Sequence, residues 1–228
     1  MPRSLKSRLI SALLSSAAVI ALALFLPAGT LRYWQAWTFF AIVFVPMILG
    51  TFYFYRRDPQ LIERRLLRKE PAKDQRFIMR VLRPVFFLLY LLPGFDYRFG
   101  WTRDHFGGVP LWLTILAQCL ALAGYLMTFW VMKENSFAAA VVRVEEGQRV
   151  ISTGPYRIVR HPMYFGALIM MLFTPLALGS IVTLPAFALV IPVLVFRLRS
   201  EERILTRDLP GYVEFTHRTR YRLVPFVW

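Results

Sequence analysis

Cysteine is almost absent from this sequence. The one thiol, Cys119, lies inside the apolar run 111–131, so it has no disulfide partner and no thiolate cluster for zinc, and it reads as a packing residue. Histidine is nearly as scarce: His105 and His217 stand in no ligand spacing with another His, Cys or acid, and no metal site is expected. The 12 glycines nowhere form a glycine-rich phosphate loop or a dinucleotide fingerprint. Acids are few, 13 against 28 lysines and arginines, for a formal net charge of +15. Such a balance can mark a nucleic-acid binder, but here the basic residues sit in short blocks between long apolar runs rather than along one helix face. No nucleic-acid partner is expected.

What the sequence has in abundance is apolar surface. At 57% hydrophobic and 16% aromatic it is too apolar for a soluble chain of its length, and the expected solvent is a bilayer. Runs approaching the roughly 20 residues a helix needs to cross cover 9–26, 33–55, 77–94, 111–132, 162–179 and 181–197. The expected fold is therefore an all-α integral membrane protein with about six transmembrane helices. Arg80 and Arg83 intrude on the third run, and Pro84 and Pro93 bracket its centre, so it is the weakest; it could be re-entrant. Only Leu178-Gly179-Ser180 joins the last two, which predicts a tight helical hairpin. The first run, preceded by Arg3, Lys6 and Arg8, resembles a signal peptide, but no good small-x-small site follows and it reads as a retained span.

Lysine and arginine bias sets the orientation. Three basic residues precede the first run, eight occupy 56–76, five occupy 133–160 and seven follow from Arg197, whereas Arg32, Arg98 and Arg103 mark the other side. Both termini are then expected in the cytosol, in a multi-pass protein of an inner, plasma or ER-type membrane. Anchoring to anionic lipid accounts for the whole 56–76 loop, which is assigned no chemistry.

Anchoring does not account for the two later basic segments. From Lys133 the chain reads KENSFAAAVVRVEEGQRVISTGPYRIVRHPMYFG. Alternation around Val141, Val142, Val144, Val150 and Ile151 predicts a small extended element or hairpin, with turns at Gly147 and at Gly154-Pro155. Tyr156, Arg157, Arg160, His161 and Tyr164 then crowd together before the fifth run, and Pro162 suits the first position of its helix. The pair Glu134-Asn135 ends the fourth run as caps or ligands. Beyond the sixth run come RLRSEERIL, with Glu201 and Glu202, and LPGYVEFTHRTRYRLVPFVW, where Pro210-Gly211 predicts a turn and then a short amphipathic helix on the membrane surface.

Arg160-His161-Pro162-x-Tyr164, a helical hairpin and then Glu201-Glu202 resemble the isoprenylcysteine carboxyl methyltransferase family, whose pattern is largely shared by phospholipid methyltransferases. The resemblance covers about residue 134 to the end. It divides the chain into four N-terminal spans, 1–132, and a methyltransferase-like region, 133–228. It implies S-adenosylmethionine as cofactor, held on the cytoplasmic side by the C-terminal hairpin and tail, and in-line methyl transfer to a lipophilic small molecule or lipidated substrate among membrane lipids.

The chemistry of that cofactor, with its sulfonium, ammonium, carboxylate, ribose diol and adenine, calls for acids, a base and aromatic faces. Arg160 offers a fork to a carboxylate. Tyr156 or Tyr164 can face the sulfonium, and His161 can hydrogen-bond or take a proton. Adjacent helical residues point about 100° apart, so Glu201 and Glu202 cannot enter one pocket alike; one is expected to pair with Arg197 or Arg199 and the other to hold the ammonium or ribose. The resemblance carries Arg160, His161 and Glu202 as catalytic, and Glu134, Asn135, Gly154, Tyr156, His161, Pro162, Tyr164, Glu201, Glu202, Tyr212 and Arg218 as cofactor contacts. Two other readings stand beside it: an NADPH-dependent sterol or enone reductase, which carries a similar Arg-His-Pro-x-Tyr segment but not the Glu-Glu pair, and a non-enzymatic transporter or assembly protein, against which speaks the shortage of ionisable residues within the apolar runs.

Overall fold

The computed structural model of the chain describes residues 4–66, 73–138 and 144–228, and for 73–79 and 81–83 the backbone only. Its helices are α1 (Leu5–Ala28), α2 (Trp34–Arg57), α3 (Pro59–Leu66), α4 (Lys73–Phe99), α5 (Trp101–Phe106), α6 (Leu111–Glu134), α7 (Pro162–Ala177), α8 (Leu184–Ala188), α9 (Val190–Asp208) and α10 (Tyr212–Arg218). The described residues form no strands, so the all-helical expectation holds for them. Of the expected hairpin, Val141 and Val142 lie outside the described residues. The rest is a turn at Glu145–Gln148 around Gly147, whose φ of 74° suits glycine.

Three helices, α1, α2 and α6, are long and apolar enough to cross a membrane among the described residues. Several of their leucines face outward, Leu14 at 66%, Leu26 at 72% and Leu49 at 63% exposure, which water would penalise and lipid tails would not. Cys119 is also exposed, on the outer side of α6 rather than in a core. The remaining runs are realised differently from their expected limits. The third becomes α4, 27 residues long and continuous through Pro84 and Pro93. The fifth is a shorter apolar helix of 16 residues. The sixth is split at Leu189 into α8 and α9. Pro192, third in α9, has no N–H to give and its ring would crowd the carbonyl four residues back, so the break falls just upstream. The join after α7 is accordingly longer than three residues.

The chain divides into two compact units. Unit 1 comprises Met1–Gly50, Val81–Ala123 and Ile169–Val190. Its core joins Leu24, Tyr33, Phe39 and Leu178 with Ala28, Ala36, Ala117, Ala121 and Ala177, small residues that let helices approach closely where lipid supplies no hydrophobic squeeze. Gly94 shows the same economy, since a Cβ there would stand 2.6 Å from Leu24 O and from Pro27 Cγ. Polar knots lock this packing. The Tyr33 hydroxyl donates to Leu178 O, Gln118 donates to Thr38 Oγ1 and Ala177 O, and buried Asp96 accepts from the amide and hydroxyl of Thr102, whose oxygen in turn accepts from Ile181 N.

Unit 2 comprises Thr51–Arg80, Gly124–Leu168 and Ile191–Trp228. The start of α7 lies tight against α6, where a Cβ on Gly166 would meet Gly124 O at 2.5 Å. Tyr53 and Phe54 of α2 pack their rings at a tilt against Phe129. α10 follows Gly211, whose φ of 81° makes the expected turn, but its apolar face is spent inside the protein. Tyr212 and Phe215 are buried with Leu209 against Val144, Val150, Tyr156 and Leu205. This helix therefore packs on its own unit instead of offering that face to a membrane.

Candidate functional site

All twelve residues that the sequence nominates lie in unit 2. α6 delivers the first pair. Glu134, its last residue, accepts a 2.8 Å hydrogen bond from the Thr153 hydroxyl, and its side chain presses on Gly154 so closely that a Cβ there would lie 2.6 Å from Glu134 Cγ. Gly154 combines that contact with a φ of +54°, two reasons for the absence of a side chain. It opens a 3₁₀ turn, Gly154–Arg157. Asn135 caps its own exit by accepting from Phe137 N and donates to the Tyr156 hydroxyl at 2.9 Å. Burial pushes the Tyr156 phenol up to about 12; the Asn135 hydrogen bond opposes this and the Glu201 charge adds to it.

The tail is tied to this segment by backbone. Val159 and Tyr221 form a parallel bridge, Arg160 N donates to Tyr221 O and His161 N to Arg222 O, and the Thr219 hydroxyl donates to Tyr156 O. α7 then starts at Pro162, where a missing N–H costs nothing.

Glu202, on the last turns of α9, is the electrostatic centre. One carboxylate oxygen accepts from Arg160 Nη1 at 3.1 Å and the other from Arg222 Nε at 2.8 Å. His161 Nε2 stands 3.6 Å from the first, too far for a hydrogen bond. Burial alone would raise this carboxyl, but the neighbouring His161, Arg160 and Arg222 outweigh it and hold it down to about 2, so it is an anion throughout the physiological range. Arg160 is fully engaged as a clamp, because Nε donates to Thr219 O and Nη2 to Thr216 O and Arg220 O. The fork that the sequence offers to a ligand carboxylate is here closed on Glu202 and the tail.

Glu201 points differently, as the 100° rule requires. It accepts from the Tyr164 hydroxyl, which also accepts from Arg197 Nε at 2.9 Å. Tyr164 and His161 face each other, ring centroids 5.8 Å apart. Two buried polar atoms of this neighbourhood have no hydrogen-bond partner among the described residues: His161 Nε2 and the Tyr212 hydroxyl. Burial raises the Tyr212 phenol, and Glu202 and Glu201 raise it further.

The structure thus brings together Glu134 with Gly154, Asn135 with Tyr156, Arg160 and His161 with Glu202, and Tyr164 with Glu201. Tyr212 lies beside Tyr156. Arg218 is exposed at the end of α10 and joins none of these contacts. Sequence reasoning missed Arg222 and Thr219, which tie the tail, and Arg64 and Arg65 of α3. Arg64 pairs with Glu145 at 2.8 Å and donates to Ser136 O, and Arg65 donates to Ala138 O. The available signal was α3's strong amphipathic pattern, with Leu61 and Ile62 buried in a loop otherwise read as anchoring.

No group of three or more metal-binding side chains occurs among the described residues. No curated protein matches the chain. The family model described as phospholipid methyltransferase matches residues 112–209, from α6 through α9 and so across most of the site. That match, with three helices apt to cross a bilayer, supports a membrane methyltransferase and agrees with the likeness to phospholipid methyltransferases read from the motifs.

Proposed function

We propose that the chain is an S-adenosylmethionine-dependent methyltransferase acting on a lipophilic or amphiphilic acceptor. One observation carries the reading. Within a densely bonded polar cluster, two buried polar atoms, His161 Nε2 and the Tyr212 hydroxyl, have no hydrogen-bond partner among the described residues and lie near Glu201 and Glu202. Orphaned buried groups cost about 1–3 kcal/mol each, so they are tolerated where a ligand meets them. The set also suits the cofactor in kind: anionic Glu202 and Glu201 for an ammonium or ribose hydroxyls, Glu134 and Asn135 for polar edges, and Tyr156, Tyr164 and Tyr212 as aromatic faces for a cation.

When bound, that cofactor supplies a methyl group on a positively charged sulfur. Everything else falls to the chain. Glu202 is held rigid by Arg160 and Arg222, so its charge is fixed in place before any ligand arrives. Arg160 accordingly acts as a positioning residue. His161 Nε2 is the atom that can hold a proton released by an amine or thiol acceptor; a carboxylate acceptor would need no base. The Tyr212–Phe215 face shields the site's tail side from water.

The same reading assigns the finer topology: six crossings in all, with α4, α7 and α8–α9 joining α1, α2 and α6. Both termini and the site lie on the cytosolic side, with spans grouped in 1–132 and the methyltransferase-like region in 133–228. The first test is which cofactor raises the melting temperature of the detergent-purified chain. S-adenosylhomocysteine is expected to do so and NADPH is not; stabilisation by NADPH alone would replace this function with a reductase. Transfer of tritiated methyl to a lipid-extractable product in membranes containing the chain would then identify the acceptor class.

A further inference from the structure

The two neighbouring arginines of α3 are treated very differently by the fold. Arg64 has a charged partner, Glu145 at 2.8 Å, together with Ser136 O at 2.9 Å and the Phe137 ring 4.8 Å from its guanidinium carbon. Arg65 has only two partners among the described residues, Ala138 O at 3.2 Å and the thioether of Met163 at 3.7 Å, both from Nη1. A thioether is a weak acceptor, and a guanidinium carries five N–H donors. Among the described residues Nε and Nη2 therefore have no acceptor, and no carboxylate pairs with the charge. Burial pushes the Arg65 guanidinium below the usual arginine range, and Tyr125 offsets this in part. A half-buried cation with no counter-ion among the described residues is costly unless something anionic completes it.

Its position gives the missing partner a context. Met163 stands between Pro162 and Tyr164, and Ala138 lies three residues past Asn135, so the guanidinium sits against the two segments that carry the candidate site. Arg160, the obvious anion receptor in sequence, is consumed by Glu202 and three carbonyls. We propose that Arg65 is the oxyanion-binding residue of this site, with its free Nε/Nη2 edge receiving a carboxylate or phosphate oxygen of the bound molecules. A planar fork suits both groups bidentately. The inference rests on the methyltransferase reading and names two sources for one chemistry, the cofactor's carboxylate and the acceptor's phosphate.

The test uses the full chain in nanodiscs, as wild type, Arg65→Met and Arg65→Lys, each checked for a monodisperse elution profile. One arm titrates S-adenosylhomocysteine against its decarboxylated analogue. The other compares dioctanoyl phosphatidylethanolamine with dioctanoylglycerol by thermal protection. In at least one arm the wild type is expected to prefer the anionic ligand by about tenfold or more, as a charge-assisted fork should give. Arg65→Met should abolish that preference and Arg65→Lys, which keeps charge but not the fork, should recover part of it. The arm that responds names the source. Absence of any preference in the wild type, or full retention of it in both variants, would overturn the assignment of Arg65. Failure of the wild type to bind S-adenosylhomocysteine at all would instead remove the methyltransferase reading beneath it.

Discussion

The two units use buried polar groups for opposite ends. In unit 1, Asp96, Thr102, Ser180, Thr183, Thr38 and Gln118 satisfy one another or the backbone, and the one orphan among the described residues is Gln35 Oε1. In unit 2, among the described residues, the network leaves His161 Nε2 and the Tyr212 hydroxyl without a hydrogen-bond partner and gives the Arg65 guanidinium only Ala138 O and the Met163 thioether. Satisfied polar groups in an apolar surrounding specify packing, whereas satisfied groups that hold an unsatisfied one prepare a contact. The difference teaches that polar content alone does not locate a site; unfinished polar content does.

The comparison breaks most visibly at Glu202. Glu202→Gln should leave Arg160 and Arg222 short of a counter-charge; breaking a buried pair by removing one partner costs about 3–5 kcal/mol. Chemical denaturation should show that loss together with at least a hundredfold fall in methyl transfer. If both quantities stayed near wild type, Glu202 would not be the hub. The acid side of the stability curve sharpens the same point. The Glu202 carboxyl is held at about 2 against an ordinary 4.5, so its contribution is fully present above pH 4.5 and is lost as pH falls toward 2. Glu202→Gln should flatten the wild-type curve in that window.

His161→Gln should separate the two uses of polarity. The imidazole Nε2 makes no hydrogen bond among the described residues and would lose only its 3.6 Å charge contact with Glu202, so the melting temperature should move by only a few degrees, in keeping with about 1 kcal/mol, while transfer falls strongly. Thr102→Val in unit 1 should do the reverse. It removes a hydroxyl that bonds Asp96, Ile181 N and Val182 N, and it should cost about 2 kcal/mol with cofactor affinity unchanged. The smallest effect is expected at Arg218, exposed and outside the network, where alanine should alter neither stability nor turnover.

Much of this was legible in the sequence. Apolar runs gave α1, α2 and α6, and turn chemistry gave Gly147, Gly154, Pro162 and Gly211 their places, because such signals act over a few residues. The splitting of the sixth run followed from Pro192, a local cause that hydropathy averages away. Partners 20 to 80 residues apart were not legible. That Arg222 shares Glu202 with Arg160, or that α3 reaches 136–138, depends on how segments fold back, and composition marked both stretches merely as basic. The tail helix is amphipathic in sequence, but an apolar stripe does not say whether lipid or protein will cover it; here Tyr212 and Phe215 are buried against Val144, Val150, Tyr156 and Leu205 rather than offered to a membrane surface.

The most direct measurement is calorimetric titration of S-adenosylhomocysteine into the full chain in detergent, beside His161→Gln and Tyr212→Phe, with NADPH as control. The account predicts saturable binding at one site per chain, weakened about tenfold or more by each substitution, and no NADPH binding. Affinity equal in all three proteins would show that the unpartnered atoms do not meet the cofactor, and heat from NADPH alone would contradict the account outright.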